Sequence, residues 1–181
     1  MITTSIDTGF FNSDTNSAIL TVLLKPNKYA TICNSYWPLS ILNAEIKIYA
    51  KVLATRLETH MPKLHHDQSG FIKTHQVADN IQRLLHVINF SQDIPSSCAV
   101  LSLDAKQAFD HLEWEYLWYV LDRCPKFIKM IKTLYAYSSA MVITGNIFSS
   151  SFPISRGSGQ GCVLSPLLLA LSLEPLAQKI R

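Results

Sequence analysis

Charge is scarce in this sequence: Asp, Glu, Lys and Arg supply 16% of it, against 48% hydrophobic residues. That balance excludes a disordered or largely solvated chain, because such chains carry little apolar surface and much charge. No long Lys/Arg block is present, so the net charge of +3 permits a polyanionic partner, and binding to one would have to come from a shaped groove. Cys33, Cys98, Cys124 and Cys162 are widely spaced with no Cys-x-x-Cys pair. This points away from a zinc ribbon or a disulfide framework and leaves them expected as buried thiols in a reducing compartment. His60, His65 and His66 are not spaced to share one helical face, so no histidine metal site is expected. The opening MITTSIDTGFFNSDTNS lacks a basic stretch followed by an apolar one, and so does not read as a secretory signal. The apolar run Pro166 to Leu173 falls far short of the ~20 residues that a bilayer requires. A soluble intracellular protein without a membrane partner is expected, with nuclear or cytoplasmic location left open.

What is present is a set of short periodic segments, enough for one domain or a piece of something larger within 181 residues. Ala18 to Leu24 reads as a strand closed by the turn Lys25-Pro26-Asn27-Lys28. Asn43 can cap a helix carrying Ile46, Tyr49, Val52, Leu53 and Leu57 on one side and Lys47, Lys51, Arg56 and Glu58 on its solvated side, stopped by Pro62. A second amphipathic helix spans about Val77 to Phe90, and Cys98 to Leu103 reads as a continuous buried strand. Trp114, Leu117, Trp118 and Leu121 form a third helical stripe, read as core packing, and Phe127, Ile128, Ile131 and Leu134 a fourth after Pro125. Gly145-Asn146 is a hairpin signal between Ala140–Thr144 and Ile147–Phe152. Ser165-Pro166 offers an N-cap and a first-turn proline for an apolar final helix. Strands and helices mix without regular βαβ alternation, which favours an α+β fold.

Two motifs carry candidate chemistry. In VLSLDAKQAFD a carboxylate, Asp104, ends the expected strand, and a second, Asp110, follows six residues later beside Phe109. Asp104 can be a rigidly held ligand for Mg²⁺, which keeps waters and substrate phosphates in its other positions, or it can cap the turn into a following helix. Spacing leaves both open. In RGSGQGCVLSP, three glycines follow Arg156 and precede the final helix, making a loop whose backbone can approach a ligand closely. It lacks the Gly-Lys-Ser/Thr ending of a P-loop, which argues against a triphosphatase of that kind.

SLDAKQAFD resembles the first catalytic motif, and RGSGQGCVLSP the Gly-Gln-Gly motif, of reverse transcriptases of non-LTR (LINE-type) retrotransposons. The resemblance extends back through LLKPNK, YWPLSILNAEIKIYAKVLATRLE and HHDQSGFIKTHQVADNIQRLLHVI, and covers about Leu20 to Arg181 in the family's order. It implies a polymerase right-hand fold of fingers (residues 18–97) and partial palm (98–181), after a poorly matched segment 1–17. It also implies an RNA template, a DNA primer and dNTP as partners. Asp104 would ligate Mg²⁺ in a two-metal transfer in which the primer 3′-hydroxyl attacks the α-phosphate of the dNTP. Phe109 would lie under the incoming sugar and exclude a 2′-hydroxyl by bulk. Gln160, Gly157 and Gly161 would line the base-pair pocket, and Arg156 and Lys73 would contact backbone or triphosphate.

The pattern is departed from at Trp37, His75, Gln107 and Gly159, where the family commonly has basic residues, at Val163, where it has Pro, and in the short Asp122–Pro125 segment. The family's paired Asp-Asp occurs nowhere in this sequence. The expectation is therefore a truncated copy with a single metal-binding carboxylate, weak Mg²⁺ affinity, no activity alone, and apolar surface exposed where strands are missing. The alternatives are a non-catalytic nucleic-acid-binding remnant acting through Lys73, Arg83 and Arg156, or a translated relic.

Overall fold

The computed structural model describes residues 5, 7–61, 64–91, 99–159 and 161–181. Among the described residues, five strands form one mixed sheet: β1 (Ser17–Leu24), β2 (Tyr36–Ile41), β3 (Ser139–Thr144), β4 (Ile147–Phe148) and β5 (Phe152–Pro153). The order is β2-β1-β3-β4, with β5 also on β3. β1 runs antiparallel to β2, with Val22 opposite Pro38, and parallel to β3, with Leu20 opposite Val142. Pro38 has no N–H to give a ladder, and β2 tolerates it because it is an edge strand. The two-residue link Gly145-Asn146 closes β3 onto β4, with Thr144 opposite Ile147 and Gly145 at a φ of 60°, where glycine meets no steric cost.

Among the described residues, five longer α-helices accompany the sheet: α1 (Ala44–Glu58), α2 (Val77–Ser91), α3 (Trp114–Val120), α4 (Pro125–Tyr135) and α5 (Ser165–Ile180). α1 starts where expected, since the Asn43 side chain accepts from the Glu45 N–H at 3.1 Å. Its apolar stripe, Ile46, Tyr49, Ala50, Leu53, Ala54 and Leu57, is buried against Ile131 and Leu134 of α4, Leu117 of α3, and Leu164, Leu167 and Leu168 at the start of α5. Lys47, Lys51 and Arg56 stay in solvent. The Tyr49 hydroxyl donates to Met130 O at 3.0 Å, so the one polar atom that this stripe buries is satisfied. The N-terminal segment joins the same core: Phe11 is buried and meets the Tyr49 ring edge-on at 5.1 Å. Buried Asn16 fastens the start of β1 to the end of α4, donating through Nδ2 to Ala136 O at 2.7 Å and Leu134 O at 3.2 Å.

Several expectations need correction. Residues 99–104 are irregular and exposed rather than a buried strand, with Leu101 and Leu103 about 80% accessible. An apolar run becomes a strand only when a neighbour takes its backbone hydrogen bonds, and among the described residues β1 to β5 pair only with one another. Ser165 does not cap α5: its hydroxyl donates to Gly159 O at 3.0 Å, Leu164 holds the cap position, and Pro166 occupies the first turn as expected. Cys33 and Cys124 are exposed because they sit in connections, before β2 and before Pro125, and only Cys162 is a buried thiol; Cys98 lies outside the described residues. Helix α2 forms over the expected range, yet none of its side chains is buried, and Val77, Ile81, Leu84, Leu85 and Ile88 face solvent. Among the described residues, no helix is long and apolar enough to cross a membrane.

Leu53, fully buried at the centre of α1, is expected to cost about 2–5 kcal/mol on truncation to Ala, read as a lowered urea midpoint at unchanged slope. Burial also pushes the Tyr49 phenol up to about 12 and the Tyr135 phenol higher still. A phenol whose folded pKa exceeds its unfolded value stabilises fully below the unfolded pKa and less as pH rises toward the folded one. The urea midpoint is therefore expected to hold to about pH 10 and to fall above it, and Tyr49→Phe to flatten that fall.

Candidate functional site

The glycine loop is placed by what it lacks. Gly157 adopts a φ of 85°, and a Cβ there would stand 3.1 Å from both Phe109 O and Asp110 O. With no side chain in the way, its N–H donates to Leu112 O at 2.8 Å, and the Ser158 N–H donates to Phe109 O at 2.7 Å. The Trp114 indole N–H closes the same contact from α3, donating to Gly157 O at 2.8 Å. Gly161, at a φ of 99°, makes a second close approach, to Ser40 O of β2, where a Cβ would come within 3.1 Å. The loop is thus wedged between the turn that follows Asp104 and the sheet. That turn is itself tight: Gln107 has a φ of 50°, and its carbonyl accepts from the Asp110 and His111 N–H groups at 2.9 and 3.1 Å.

Of the sequence-derived candidates, Phe109, Gly157 and Gly161 are brought together by this wedge. Phe109 is half-buried with its carbonyl engaged. Gln160 lies outside the described residues. Arg156 stands beside the loop and pairs with Glu113 at 3.4 Å. Lys73 is elsewhere, pairing with Glu58 of α1 at 2.7 Å, and this bond chiefly holds the Glu58 carboxyl below its ordinary range. Arg83 on α2 pairs with Asp67. The three basic residues proposed for polyanion contact therefore each have an acidic partner, and exposed pairs of this kind are weak enough to exchange for a phosphate.

Asp104 is exposed and makes no ion pair among the described residues. The capping alternative is not what the chain adopts, since residues 106–111 are turns and the next helix starts at Trp114 with Glu113 at its cap position. Asp110 is half-buried, and neither aspartate belongs to a metal-type cluster among the described residues. A single carboxylate does not make a two-metal site, and no chemical step can be routed through a metal from these residues alone.

The cluster that does form is His65, His66 and Asp67, whose ligand atoms all lie within 4.8 Å of one another. Helical spacing arguments missed it because these residues sit in a loop, where adjacent rings can stack, here 4.3 Å apart. Asp67 is already shared by Arg83, by Arg181 at 3.5 Å and by His65 at 3.1 Å. Burial, followed by the Arg181 charge, lowers the His65 pKa. Two guanidinium groups on the only carboxylate oppose a cation there, and the arrangement ties α2, the loop and the end of α5 together.

Sequence reading also missed Ser158. It is almost fully buried, and its Oγ has no hydrogen-bond partner. No periodicity signals such a residue. The neighbouring positions are expected to respond in opposite ways. Gly157→Ala adds a Cβ against two backbone carbonyls at positive φ and should cost on the order of 1–3 kcal/mol. Ser158→Ala removes an unsatisfied hydroxyl and should leave stability unchanged or raise it by about 1 kcal/mol. Urea unfolding of the two variants checks both signs.

The family model described as reverse transcriptase (RNA-dependent DNA polymerase) matches residues 23–181. Over 168 residues the chain is 32% identical to the transposon TX1 uncharacterized 149 kDa protein of Xenopus laevis, covering 91% of this chain and 13% of that one. It is 28% identical over 174 residues to the RNA-directed DNA polymerase from mobile element jockey of Drosophila melanogaster, covering 92% of this chain and 19% of that one. Against the Pol polyprotein of the type-2 retrotransposable element R2DM of Drosophila melanogaster the identity is 27% over 166 residues, covering 88% and 15%. The chain thus spans less than a fifth of the length of these relatives. A match over this share of the chain, carried by the segment that holds both motifs, settles the family: the chain belongs to the reverse transcriptases.

Proposed function

We propose that this chain is the part of an RNA-directed DNA polymerase of a non-LTR retrotransposon that supplies the first catalytic carboxylate and the glycine loop of the nucleotide pocket. The observation that carries the reading is the contact between the two motifs. Residues 109–112, just after Asp104, hold the Gly157-Ser158 backbone through two N–H to carbonyl bonds of 2.8 Å or less. In a polymerase, an incoming nucleotide must touch a metal-bearing carboxylate and a base-pair surface at once, so these two segments have to be adjacent.

In this reading, residues 18–97 act as fingers and 98–181 as part of the palm. Asp104 contributes a carboxylate to a divalent cation, taken as Mg²⁺, and Phe109 screens the sugar. Gly157, Gln160 and Gly161 face the base pair formed by RNA template and incoming dNTP. Arg156 and Lys73 exchange their acidic partners for phosphate, which a displaced surface pair allows at little cost. The cation would hold and polarise the triphosphate when bound. A working pair of cations needs carboxylates beyond Asp104, and the sequence has no Asp-Asp pair to provide them.

Fluorescence anisotropy with an RNA template annealed to a DNA primer tests this directly. Binding is expected at low salt, weakening steeply as salt rises. Asp104→Asn should bind within about twofold of the parent, because it leaves the phosphate contacts in place. Primer extension by the chain alone, with Mg²⁺ and dNTPs, is expected at background. A folded chain that fails to bind primer–template at low salt would sink the reading. Metal-dependent extension abolished by Asp104→Asn would show instead that the site is complete.

A further inference from the structure

Behind the glycine loop lies a cavity of about 340 Å³. Ala18 and Leu20 of β1, Leu42 and Ile46 at the start of α1, Leu134 of α4 and Phe152 of β5 make most of its wall apolar. Asp104, Phe109 and Lys73 do not line it, whereas Arg156 and Gly157 do, so it lies behind the nucleotide surface just described and shares one wall with it. Its charged lining residues, Asp110 and Arg156, are half-buried and exposed respectively. Their charges oppose one another, and neither gives a charged ligand reason to enter.

The polar needs of the lining are unmet in one place. Ser158 and Tyr135 both contribute to the wall and both are buried, and the Ser158 hydroxyl makes no hydrogen bond. Ser165 lies beside Tyr135, and its hydroxyl, while donating to Gly159 O, keeps lone pairs that can accept from the phenol, so the hydroxyl that stays without a partner is that of Ser158. Asn16, by contrast, is satisfied by its three Nδ2 contacts to Leu134, Ala136 and Ser138. A native core rarely leaves a buried hydroxyl without a partner, because it has given up water without recompense.

We propose that this cavity is a binding site for an uncharged, flat, two-ring molecule bearing one hydroxyl or carbonyl oxygen. Size sets the first condition: an apolar cavity of roughly 150 Å³ accepts benzene, so one of about 340 Å³ has room for two fused rings. Chemistry sets the second, since an oxygen near Ser158 can pair with a hydroxyl that otherwise stays orphaned. Gly157, Ser158, Gly159 and Cys162 belong to the wall, so an occupant bears on the glycine loop from behind. The binding itself does not require the polymerase reading.

The probes are 2-naphthol, naphthalene, which lacks the oxygen, and 2-naphthalenesulfonate, which carries a charge. Each is titrated into the full chain by isothermal calorimetry. Saturable one-to-one binding of 2-naphthol is expected, about tenfold tighter than naphthalene, as one good buried hydrogen bond allows, with no binding of the sulfonate. Ser158→Ala should bring 2-naphthol close to naphthalene. Ala18→Ile fills the cavity from β1 and should weaken 2-naphthol at least about tenfold while circular dichroism shows a folded chain. Leu20→Phe, which adds bulk from the same strand, replaces it if that variant unfolds. Absence of saturable 2-naphthol binding overturns the proposal. So does equal affinity for all three probes, or unchanged binding in a folded cavity-filled variant, which would put the molecule on the exposed stripe of α2.

Discussion

The contact on which the rest of the site depends is the seating of the Gly157-Ser158 backbone on residues 109–112. Two main-chain bonds and the Trp114 indole hold together segments that are 43 residues apart, measured from Trp114 to Gly157. Backbone can meet backbone this closely only if one partner has no Cβ, and Gly157 stands at a positive φ against two carbonyls. The helix that follows inherits its position from this seating. Ser165 gives up its capping role to bond Gly159, and Pro166 and the buried Leu167 and Leu168 then carry α5 into the core.

The core explains why that position is stable. α1, α3, α4 and the start of α5 share one apolar cluster, and the sheet is fastened beside it at the start of β1, whose parallel neighbour β3 comes from more than a hundred residues away. A parallel pair cannot be made by a tight turn, so the chain between them must cross over, and it carries α1 to α4 on the way. Asn16 marks the junction where β1 and the end of α4 meet, replacing with side-chain bonds the backbone partners that irregular residues lose there. Against this well-packed side stands α2, amphipathic but with its apolar stripe in solvent, held mainly by polar ties through Arg83 and Asn80 to the loop at 65–69.

How far this was legible from residues alone varied with the range of the interaction. α1, with its Asn43 cap, its buried stripe and its solvated Lys47 and Lys51, follows from local rules, as do the Pro125 start of α4 and the Gly145-Asn146 link. Residues 99–104 did not follow, because an apolar run states a preference for burial but not what will bury it. The exposed Cys33 and Cys124 failed for a related reason: composition marks a thiol as apolar, while its place in a connection decides its exposure. His65, His66 and Asp67 were set aside on helical spacing and came together in a loop, where that periodicity has no force. Phe11 was unmarked in a polar opening segment, and its ring contact with Tyr49 shows that one aromatic can anchor a stretch without a pattern.

Family membership was set by the sequence itself, since motifs in order and at their spacing over most of the chain are a property of residue identity and need no coordinates. So were the local starts and stops of α1, α4 and the hairpin, where proline, glycine and a capping side chain act on their immediate neighbours. The tertiary structure alone decided which carbonyls the glycines approach, that Lys73, Arg83 and Arg156 are each held by an acid, and that Ser158 is buried unpaired beside a cavity. Those facts depend on segments far apart in the chain meeting at hydrogen-bonding distance, and no local preference encodes such a meeting.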